Sequence, residues 1–327
     1  MRRRRIGAHG PYAGAIALGC MGLSEFYEPV SEDEAIGVVH RAIDAGMTLI
    51  DTSDMYGLGE NERLVGRALR GRRERAVLAT KAGIVRSASD PAFRAVDGRP
   101  SYIRSACDAS LARLGVERID LYYLHRADPR VAIEESIGAM AELVAAGKVA
   151  HLGVSELDAP ALRRAAATAP IAALQSEYSL FTRDVETNGV LDAARALGIG
   201  LVAYAPLGRG MLTGAVRSPD GLSETDLRRR VPRFDAGNID RNLALVDALA
   251  AIARELGATP AQLALAWVLA RGEDVVALPG ATGVAHIDEN ARAADVRLDR
   301  DVLARIDALL PPGAAAGARL RPSPAAG

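Results

Sequence analysis

Residues 47–57 read Met-Thr-Leu-Ile-Asp-Thr-Ser-Asp-Met-Tyr-Gly, a short apolar run followed directly by polar side chains. The run at 47–50 has the length and composition of a buried β-strand. Asp51 ends this run, and Tyr56 lies five residues further on. Strands that end in polar groups are typical of the carboxyl-terminal rim of an α/β barrel. This stretch therefore predicts an α/β barrel, and the pattern of the remaining chain tests that prediction.

Short apolar runs alternate with amphipathic helical stretches along nearly the whole chain. The eight predicted strands are 15–19, 48–51, 77–81, 120–125, 151–155, 172–175, 200–204 and 275–279. Helical patterns separate them, and the one at 31–45 begins with a capping box at Ser31. Eight strands with helical crossovers pair in parallel and close into a barrel. We predict an α/β fold, a single-domain (β/α)8 TIM barrel over residues 1–310, with a disordered Ala-, Gly- and Pro-rich tail at 311–327.

Composition and charge exclude several classes of protein. The 327 residues are 49% hydrophobic and 25% charged, as in ordinary globular proteins. Forty basic and 41 acidic side chains leave a net charge of -1, which gives no attraction for nucleic acid or an anionic membrane. The basic run 2–5 is expected to be a solvated end. No apolar stretch approaches the roughly 18 residues of a membrane span, and the two distant cysteines suit a cytoplasmic protein. The five histidines lack ligand spacing, so we predict no metal site.

Polar residues at three consecutive strand ends indicate acid–base chemistry. Asp51 ends the predicted strand at 48–51, Lys81 ends the strand at 77–81, and His125 ends the strand at 120–125. A free tyrosine has a pKa of about 10, and a nearby ammonium held by a carboxylate lowers that pKa. Tyr56 would donate a proton to a carbonyl oxygen, and His125 would orient that carbonyl. Each residue alone is more often a cap, an ion-pair partner or a core residue, but their convergence favours catalysis.

Three later strands end in groups that suit a nicotinamide. Ser155 and Gln175 end strands five and six and could hydrogen-bond its carboxamide, while the ring of Tyr204 suits its flat face. A helix cap remains an alternative for Ser155, and a buried hydrogen bond within the core remains one for Gln175.

Several of these motifs together resemble the aldo-keto reductase family. The resemblance runs from about residue 15 to 298 through DTSDMYG at 51–57, ATK at 79–81, DLYYLHR at 120–126, GVSE at 153–156, AALQSEY at 172–178, AYAPLGRG at 203–210 and EN at 289–290. It implies NADPH-dependent carbonyl reduction by a tetrad of Asp51, Tyr56, Lys81 and His125. It also implies cofactor contacts from Ser155, Gln175, Tyr204, Leu207, Gly208, Arg209, Gly210, Glu289 and Asn290. The motifs are closest to those of monomeric bacterial and plant aldehyde reductases, so we expect a monomer or a weak oligomer.

The eighth strand departs from the family pattern. Members often carry Lys or Arg there to pair with the 2′-phosphate of NADP, whereas this chain has no basic residue other than His286 between Gly280 and Arg292. A phosphate can still bind the amides of the following helix, with Gly280, Thr282 and His286 beside it. We therefore expect NADPH to be the cofactor, with a weakened preference over NADH.

The substrate is expected to be a small-molecule carbonyl compound bound by three loops, at 21–27, 86–99 and 207–238. The apolar candidates in this pocket are Phe26, Tyr27, Met55 and Phe93. Two other functions use the same features: an NADPH-sensing binding module that docks to a partner, and oxidation of a lactol or alcohol in the reverse direction.

Overall fold

A computed structural model describes residues 1–90 and 93–321 of the chain. Its strands are β1 (Arg3–Arg5), β2 (Tyr12–Gly14), β3 (Leu18–Gly19), β4 (Leu49–Asp51), β5 (Val77–Ala82), β6 (Ile84–Arg86), β7 (Arg94–Val96), β8 (Ile119–Leu124), β9 (Val149–Ser155), β10 (Ile171–Glu177), β11 (Gly200–Tyr204) and β12 (Val275–Leu278). Its helices are α1 (Glu32–Asp44), α2 (Glu60–Ala68), α3 (Pro100–Leu114), α4 (Ile133–Ala145), α5 (Ala159–Thr168), α6 (Val190–Ala196), α7 (Asn238–Glu255), α8 (Pro260–Leu269), α9 (Val284–Arg292) and α10 (Arg300–Leu309).

Eight parallel strands form one sheet in the order β3, β4, β5, β8, β9, β10, β11 and β12. The sheet closes on itself, because the N–H of Ala17 donates to the carbonyl of Ala277 at 2.8 Å and the N–H of Gly19 donates to that of Pro279 at 2.9 Å. Helices pack around the outside. The predicted (β/α)8 barrel is confirmed, and so is the capping box at Ser31, whose hydroxyl accepts from the N–H of Glu34.

Side chains alternate between two apolar cores along each strand. On β4, β5 and β8 the inward-facing positions hold Leu49, Ala79, Leu121 and Tyr123, which fill the barrel interior. The positions between them pack against the helices. Because strand side chains alternate with a period of two, the inward row that contains Leu49 reaches Asp51 next, and the row through Ala79 reaches Lys81. The alternation that builds the interior therefore also directs the polar strand ends to one rim.

The basic run at the N-terminus is solvated only in part, because Arg2, Arg3 and Arg5 are exposed whereas Arg4 is not. Residues Arg3–Arg5 form an antiparallel hairpin with Tyr12–Gly14, and Arg4 is buried. Its guanidinium donates to the carbonyls of Leu269 and Gly272, near the end of α8, and to that of Val275. Charged donors stabilise carbonyls that a helix end leaves unpaired. The expectation of a solvated end was wrong for Arg4, because a run of like charges does not show which of its members is buried.

The C-terminal segment also differs from expectation. The described part of the predicted tail, residues 311–321, lies against the barrel after α10. The amide side chain of Asn242 bonds both the N–H of Ala316 at 2.7 Å and its carbonyl at 3.0 Å, and Arg321 pairs with Asp235 at 2.7 Å. Residues 322–327 lie outside the described residues. No helix in the described part of the chain is both long and apolar enough to cross a membrane.

The barrel interior requires a glycine opposite Tyr123. Tyr123 on β8 pairs in register with Gly153 on β9, and a β-carbon at Gly153 would lie 2.4 Å from a carbon of the buried Tyr123 ring. We expect Gly153→Ala to lower the free energy of unfolding by about 1–3 kcal/mol through overpacking, as measured by urea denaturation.

Two variants make this test specific. Gly37→Ala in α1 meets no atom within 4 Å and should stabilise the protein by about 0.5–1 kcal/mol. Tyr123→Leu should relieve most of the strain that Gly153→Ala introduces. An unchanged free energy of unfolding in Gly153→Ala would contradict the close packing of Gly153 against Tyr123.

Candidate active site

Asp51, Tyr56, Lys81 and His125 meet at the carboxyl end of the barrel. The ammonium of Lys81 is fully buried; it donates to a carboxylate oxygen of Asp51 and, at 2.8 Å, to the carbonyl of Thr52. The same nitrogen lies 5.2 Å from the ring centroid of Tyr56. The rings of Tyr56 and His125 pack edge to face, with centroids 6.1 Å apart. The structure thus brings together all four residues that the sequence singled out.

Burial and charge act in opposite directions on the pKa values here. Burial disfavours the charged form of Lys81, but the attraction of Asp51 and Tyr56 outweighs it and raises the pKa of the ammonium. Burial also raises the pKa of Tyr56, although the charge of Lys81 pulls it down. The lowered tyrosine pKa expected from the sequence is therefore wrong in direction, because desolvation exceeds the effect of the ammonium. Tyr56 remains protonated at neutral pH, as a proton donor must.

His125 is neutral. Burial, followed by the positive charges of Lys81 and Arg126, holds the pKa of its imidazole well below the usual range. Its Nδ1 lies 3.2 Å from the hydroxyl oxygen of Ser53. The guanidinium of Arg126, the next residue, donates to the His125 carbonyl at 2.6 Å and to the hydroxyl of Ser155 at 3.0 Å.

The three residues predicted to contact a nicotinamide stand on consecutive strands at the same rim. Ser155 accepts from Arg126, while the amide nitrogen of Gln175 donates to Asp51 at 2.9 Å. The hydroxyl of Tyr204 accepts from Arg319 at 3.1 Å. Gln175 thus makes the buried hydrogen bond that the sequence left open as an alternative, and its partner is a member of the tetrad.

A cleft beside this rim contains most of the other predicted cofactor residues. It is lined by Leu207, Arg209 and Gly210 from one loop and by Gly280, Thr282, His286, Glu289 and Asn290 from the turn after β12 and from α9. Gly208 lies within the same loop and is buried. Helix α9 begins at Val284, and its N-cap residue Gly283 provides no side-chain cap. Its first amides and the loop at 207–210 therefore form a surface suited to phosphate groups.

Two arginines reach this cleft from the barrel mouth. Arg209 pairs with the buried Glu177 at 3.5 Å, and Arg228 pairs with the buried Asp226 at 2.6 Å. The sequence interpretation did not single out Arg228, because it lies in a long loop whose path the sequence pattern does not define.

Unusual backbone conformations cluster at the same rim. Among the described residues, the non-glycine positions with positive φ are Phe26, Leu58, Glu156, Ala205 and Arg209, with φ between 49° and 74°. All five lie in the loops that follow the carboxyl ends of barrel strands. Strained backbone of this kind persists where the surrounding structure holds it, and it concentrates at ligand sites.

The C-terminal segment completes the mouth of the barrel. Arg319 bridges two carboxylates, Glu156 at 2.7 Å and Glu177 at 3.2 Å, in addition to its bond with Tyr204. Nothing in the Ala- and Gly-rich composition of this segment signals that one of its residues reaches the rim.

The proposed substrate residues differ in their placement. Phe26 and Met55 are half-buried and meet at Arg86, whose guanidinium lies over the Phe26 ring at 5.7 Å and donates to the Met55 carbonyl at 2.8 Å. Tyr27 lines the cleft that contains the predicted cofactor residues. Phe93 is 42% exposed and lies in the β6–β7 hairpin directly before β7. Among the described residues, no group of three or more His, Cys, Asp or Glu side chains could hold a metal ion.

Comparison with known proteins identifies the family. A model described as the aldo/keto reductase family matches residues 15–311. The chain belongs to the aldo/keto reductase family. This aldo/keto reductase is 43% identical over 317 residues to a probable aldo-keto reductase of Glycine max, covering 96% of this chain and 90% of the relative. It is 45% identical over 288 residues to an aldo-keto reductase of Schizosaccharomyces pombe whose name specifies NADP(+), covering 87% of this chain and 84% of the relative.

Solved structures agree with this assignment. A glycerol dehydrogenase of Gluconobacter oxydans superimposes on this aldo/keto reductase with a TM-score of 0.87 at 30% identity, over 98% of each chain. An aldo-keto reductase of Klebsiella pneumoniae, solved in complex with NADPH, gives a TM-score of 0.73 at 29% identity, over 99% of this chain and 100% of the other. The protein is thus an enzyme, an oxidoreductase of this family.

Proposed function

We propose that this enzyme reduces an aldehyde or ketone to the alcohol, with NADPH as hydride donor and Tyr56 as proton donor. The observation that carries the proposal is the buried Asp51–Lys81 ion pair beneath the phenol of Tyr56, with a neutral imidazole packed against the same ring. These groups adjoin the cleft that would hold the dinucleotide.

The residues of the cleft fit a nicotinamide dinucleotide. The uncapped amides of α9 and the loop at 207–210 would hold phosphate groups. Tyr204 and Ser155 stand at the adjoining barrel rim, where we expect the nicotinamide ring to lie. The names of relatives support this choice, since one is an NADP(+) enzyme and another was solved with NADPH.

The chain's own residues account for the proton. The chemistry supplied by a bound nicotinamide is hydride transfer to the carbonyl carbon. Tyr56 would give its phenolic proton to the carbonyl oxygen, and Lys81 would stabilise the phenolate that remains until solvent reprotonates it. Asp51 keeps Lys81 charged and in place, because both groups are buried and each is the other's counter-ion. His125 would bond the same oxygen and fix its orientation.

Alcohol oxidation is a second candidate because one structural relative is named a glycerol dehydrogenase. The same residues act in reverse, with Tyr56 as the base.

We expect this enzyme to discriminate weakly between NADPH and NADH. No Lys or Arg occurs between Gly280 and Arg292, and the two arginines in the cleft, Arg209 and Arg228, already pair with carboxylates. The charge-assisted contact that favours the 2′-phosphate is therefore weakened. Steady-state kinetics with both cofactors should give kcat/KM values within about two orders of magnitude of each other. A difference of that size corresponds to roughly one charge-assisted hydrogen bond to the 2′-phosphate.

Two variants extend this cofactor test. Thr282→Arg should increase the preference for NADPH, whereas Ser218→Arg, in an exposed part of the loop at 207–238, should leave it unchanged. A wild-type preference of many thousandfold would contradict the expectation.

The activity itself is tested by NADPH oxidation with a panel of aldehydes and ketones, including nitrobenzaldehyde. Turnover with at least one carbonyl compound supports the proposal. An enzyme that binds NADPH and reduces no member of a broad panel, and that oxidises no alcohol with NADP(+), would instead fit the binding-module alternative.

A further inference from the structure

We propose that Ser53 and Asp54 set the tautomer of His125, and thereby decide whether its Nε2 donates or accepts a hydrogen bond at the reacting oxygen. The inference deepens the proposed function and rests on it, because it concerns the side chain that would orient the carbonyl. Neither residue belongs to the tetrad, although both lie between Asp51 and Tyr56 in sequence.

A neutral histidine must choose between two tautomers. The imidazole of His125 is buried and uncharged, as its lowered pKa shows, so it carries one ring proton. The hydrogen bond at one ring nitrogen determines which nitrogen holds that proton. Ser53 is the partner of Nδ1, at 3.2 Å. If the serine donates to Nδ1, the ring proton sits on Nε2; if the serine accepts from Nδ1, Nε2 is left with a lone pair.

The hydroxyl of Ser53 has one proton and three acceptors within reach. These are a carboxylate oxygen of Asp54 at 3.2 Å, the carbonyl of Lys81 at 3.3 Å and Nδ1 of His125. Its oxygen also accepts from the N–H of Met55 at 3.4 Å. Ser53 is buried, so these protein groups are the competitors for its proton. An ionised carboxylate is the strongest acceptor of the three, so the charge on Asp54 decides where the proton points.

Asp54 is placed to change its charge near neutral pH. Burial, and then the negative charge of Glu62 on α2, raise its pKa to about 7. Arg113 on α3 opposes this shift, but its guanidinium is committed to Glu62 at 2.6 Å. Tyr102 on α3 also hydrogen-bonds Asp54. The charged or titratable groups that face His125 are Lys81, Arg126 and Tyr56.

The two charge states of Asp54 give Nε2 of His125 different capacities at the reacting oxygen. Below about pH 7 the carboxyl is protonated, Ser53 donates to Nδ1, and the Nε2–H of His125 can donate to a carbonyl oxygen. Above that pH Asp54 is ionised and takes the serine proton. Nδ1–H then donates to Ser53, and Nε2 carries a lone pair that cannot donate to the carbonyl oxygen. Carbonyl reduction is therefore supported by His125 in the first state and loses that hydrogen bond in the second.

The test is to observe the tautomer directly. Full-length protein labelled with 15N-histidine is examined by two-bond 1H–15N correlation spectra from about pH 5.5 to about pH 8.5, across the range in which the two tautomers should exchange. His125 is assigned by the loss of its signals in His125→Gln. We expect a change from the Nε2–H to the Nδ1–H form with a midpoint near the pKa of Asp54, about 7. Asp54→Asn should hold the Nε2–H form throughout, Ser53→Ala should abolish the change, and Ser53→Thr should restore it.

The kinetic consequence is a changed pH profile. At about pH 8.5, kcat/KM for carbonyl reduction by Asp54→Asn should exceed that of the wild type by about tenfold, the equivalent of one hydrogen bond to the reacting oxygen. A single tautomer of wild-type His125 over the whole range would overturn the inference, whether or not Asp54→Asn and Ser53→Ala fold. A pH-dependent change of the His125 tautomer that persists in both Asp54→Asn and Ser53→Ala would also overturn the inference. The spectra need no substrate, so they fail or succeed independently of the proposed carbonyl reduction.

Discussion

Tyr56→Phe is expected to lower kcat for carbonyl reduction roughly a thousandfold, within the range that general acid catalysis contributes. The substitution removes only the phenolic O–H. The phenylalanine ring can keep its packing against His125 and its position beside Lys81, so the fold and the cofactor cleft should survive. What is lost is the proton for the developing alkoxide, because no other acidic group of the tetrad is placed to supply it.

The measurement is single-turnover oxidation of NADPH in the presence of a saturating aldehyde, with NADPH binding followed separately by fluorescence. Tyr12→Phe is the matched control, since Tyr12 lies on β2, outside the tetrad and the cleft, and is 55% exposed. It should turn over at the wild-type rate. Retention of more than about a tenth of wild-type kcat by Tyr56→Phe would show that the proton comes from elsewhere, since a lost proton donor costs at least about a hundredfold.

Lys81→Met is expected to lower the free energy of unfolding by about 3–5 kcal/mol, the usual cost of removing one partner of a buried ion pair. Asp51 would then be a buried carboxylate that accepts a hydrogen bond from the amide of Gln175 but has lost its counter-ion. Burial already raises the pKa of Asp51 despite the ammonium of Lys81, so without Lys81 the carboxyl should take up a proton. The loss of stability should therefore grow as the pH rises above the pKa of the unfolded carboxyl.

The double variant Asp51→Asn/Lys81→Met separates pairing from packing. Because it leaves no unpaired charge, it should be clearly more stable than the sum of the two single losses predicts. Urea denaturation of the four proteins at neutral pH gives the coupling energy. The exposed pair of Arg164 and Glu134, at 2.7 Å, is the control and should couple by less than about 1 kcal/mol. Additive losses at Asp51 and Lys81 would contradict their role as mutual counter-ions.

The barrel and the tetrad could be predicted because they depend on local rules. A strand with a period of two places every second residue inward, so the last inward residue of a short run points to the rim. Asp51 and Lys81 follow from that rule alone. His125 and Tyr56 needed the further knowledge that parallel strands end on one side.

The parts that the sequence did not predict depend on contacts between distant segments. Arg4 is buried because carbonyls near residue 270 need donors, and Arg319 reaches the rim because Glu156 and Glu177 lie there. No local pattern contains either partner. The direction of the Tyr56 pKa was wrong for a similar reason, since it depends on the degree of burial as well as on the identity of the neighbours.

The central claim is most directly tested by following the hydride. NADPH deuterated at C4 of the nicotinamide ring is incubated with the enzyme and a reducible aldehyde, and the alcohol is analysed by mass spectrometry and proton NMR. We expect one deuterium on the carbinol carbon of the product, from one face of the cofactor. An alcohol product without deuterium on that carbon, from cofactor deuterated on either face, would contradict direct hydride transfer and the account built on it.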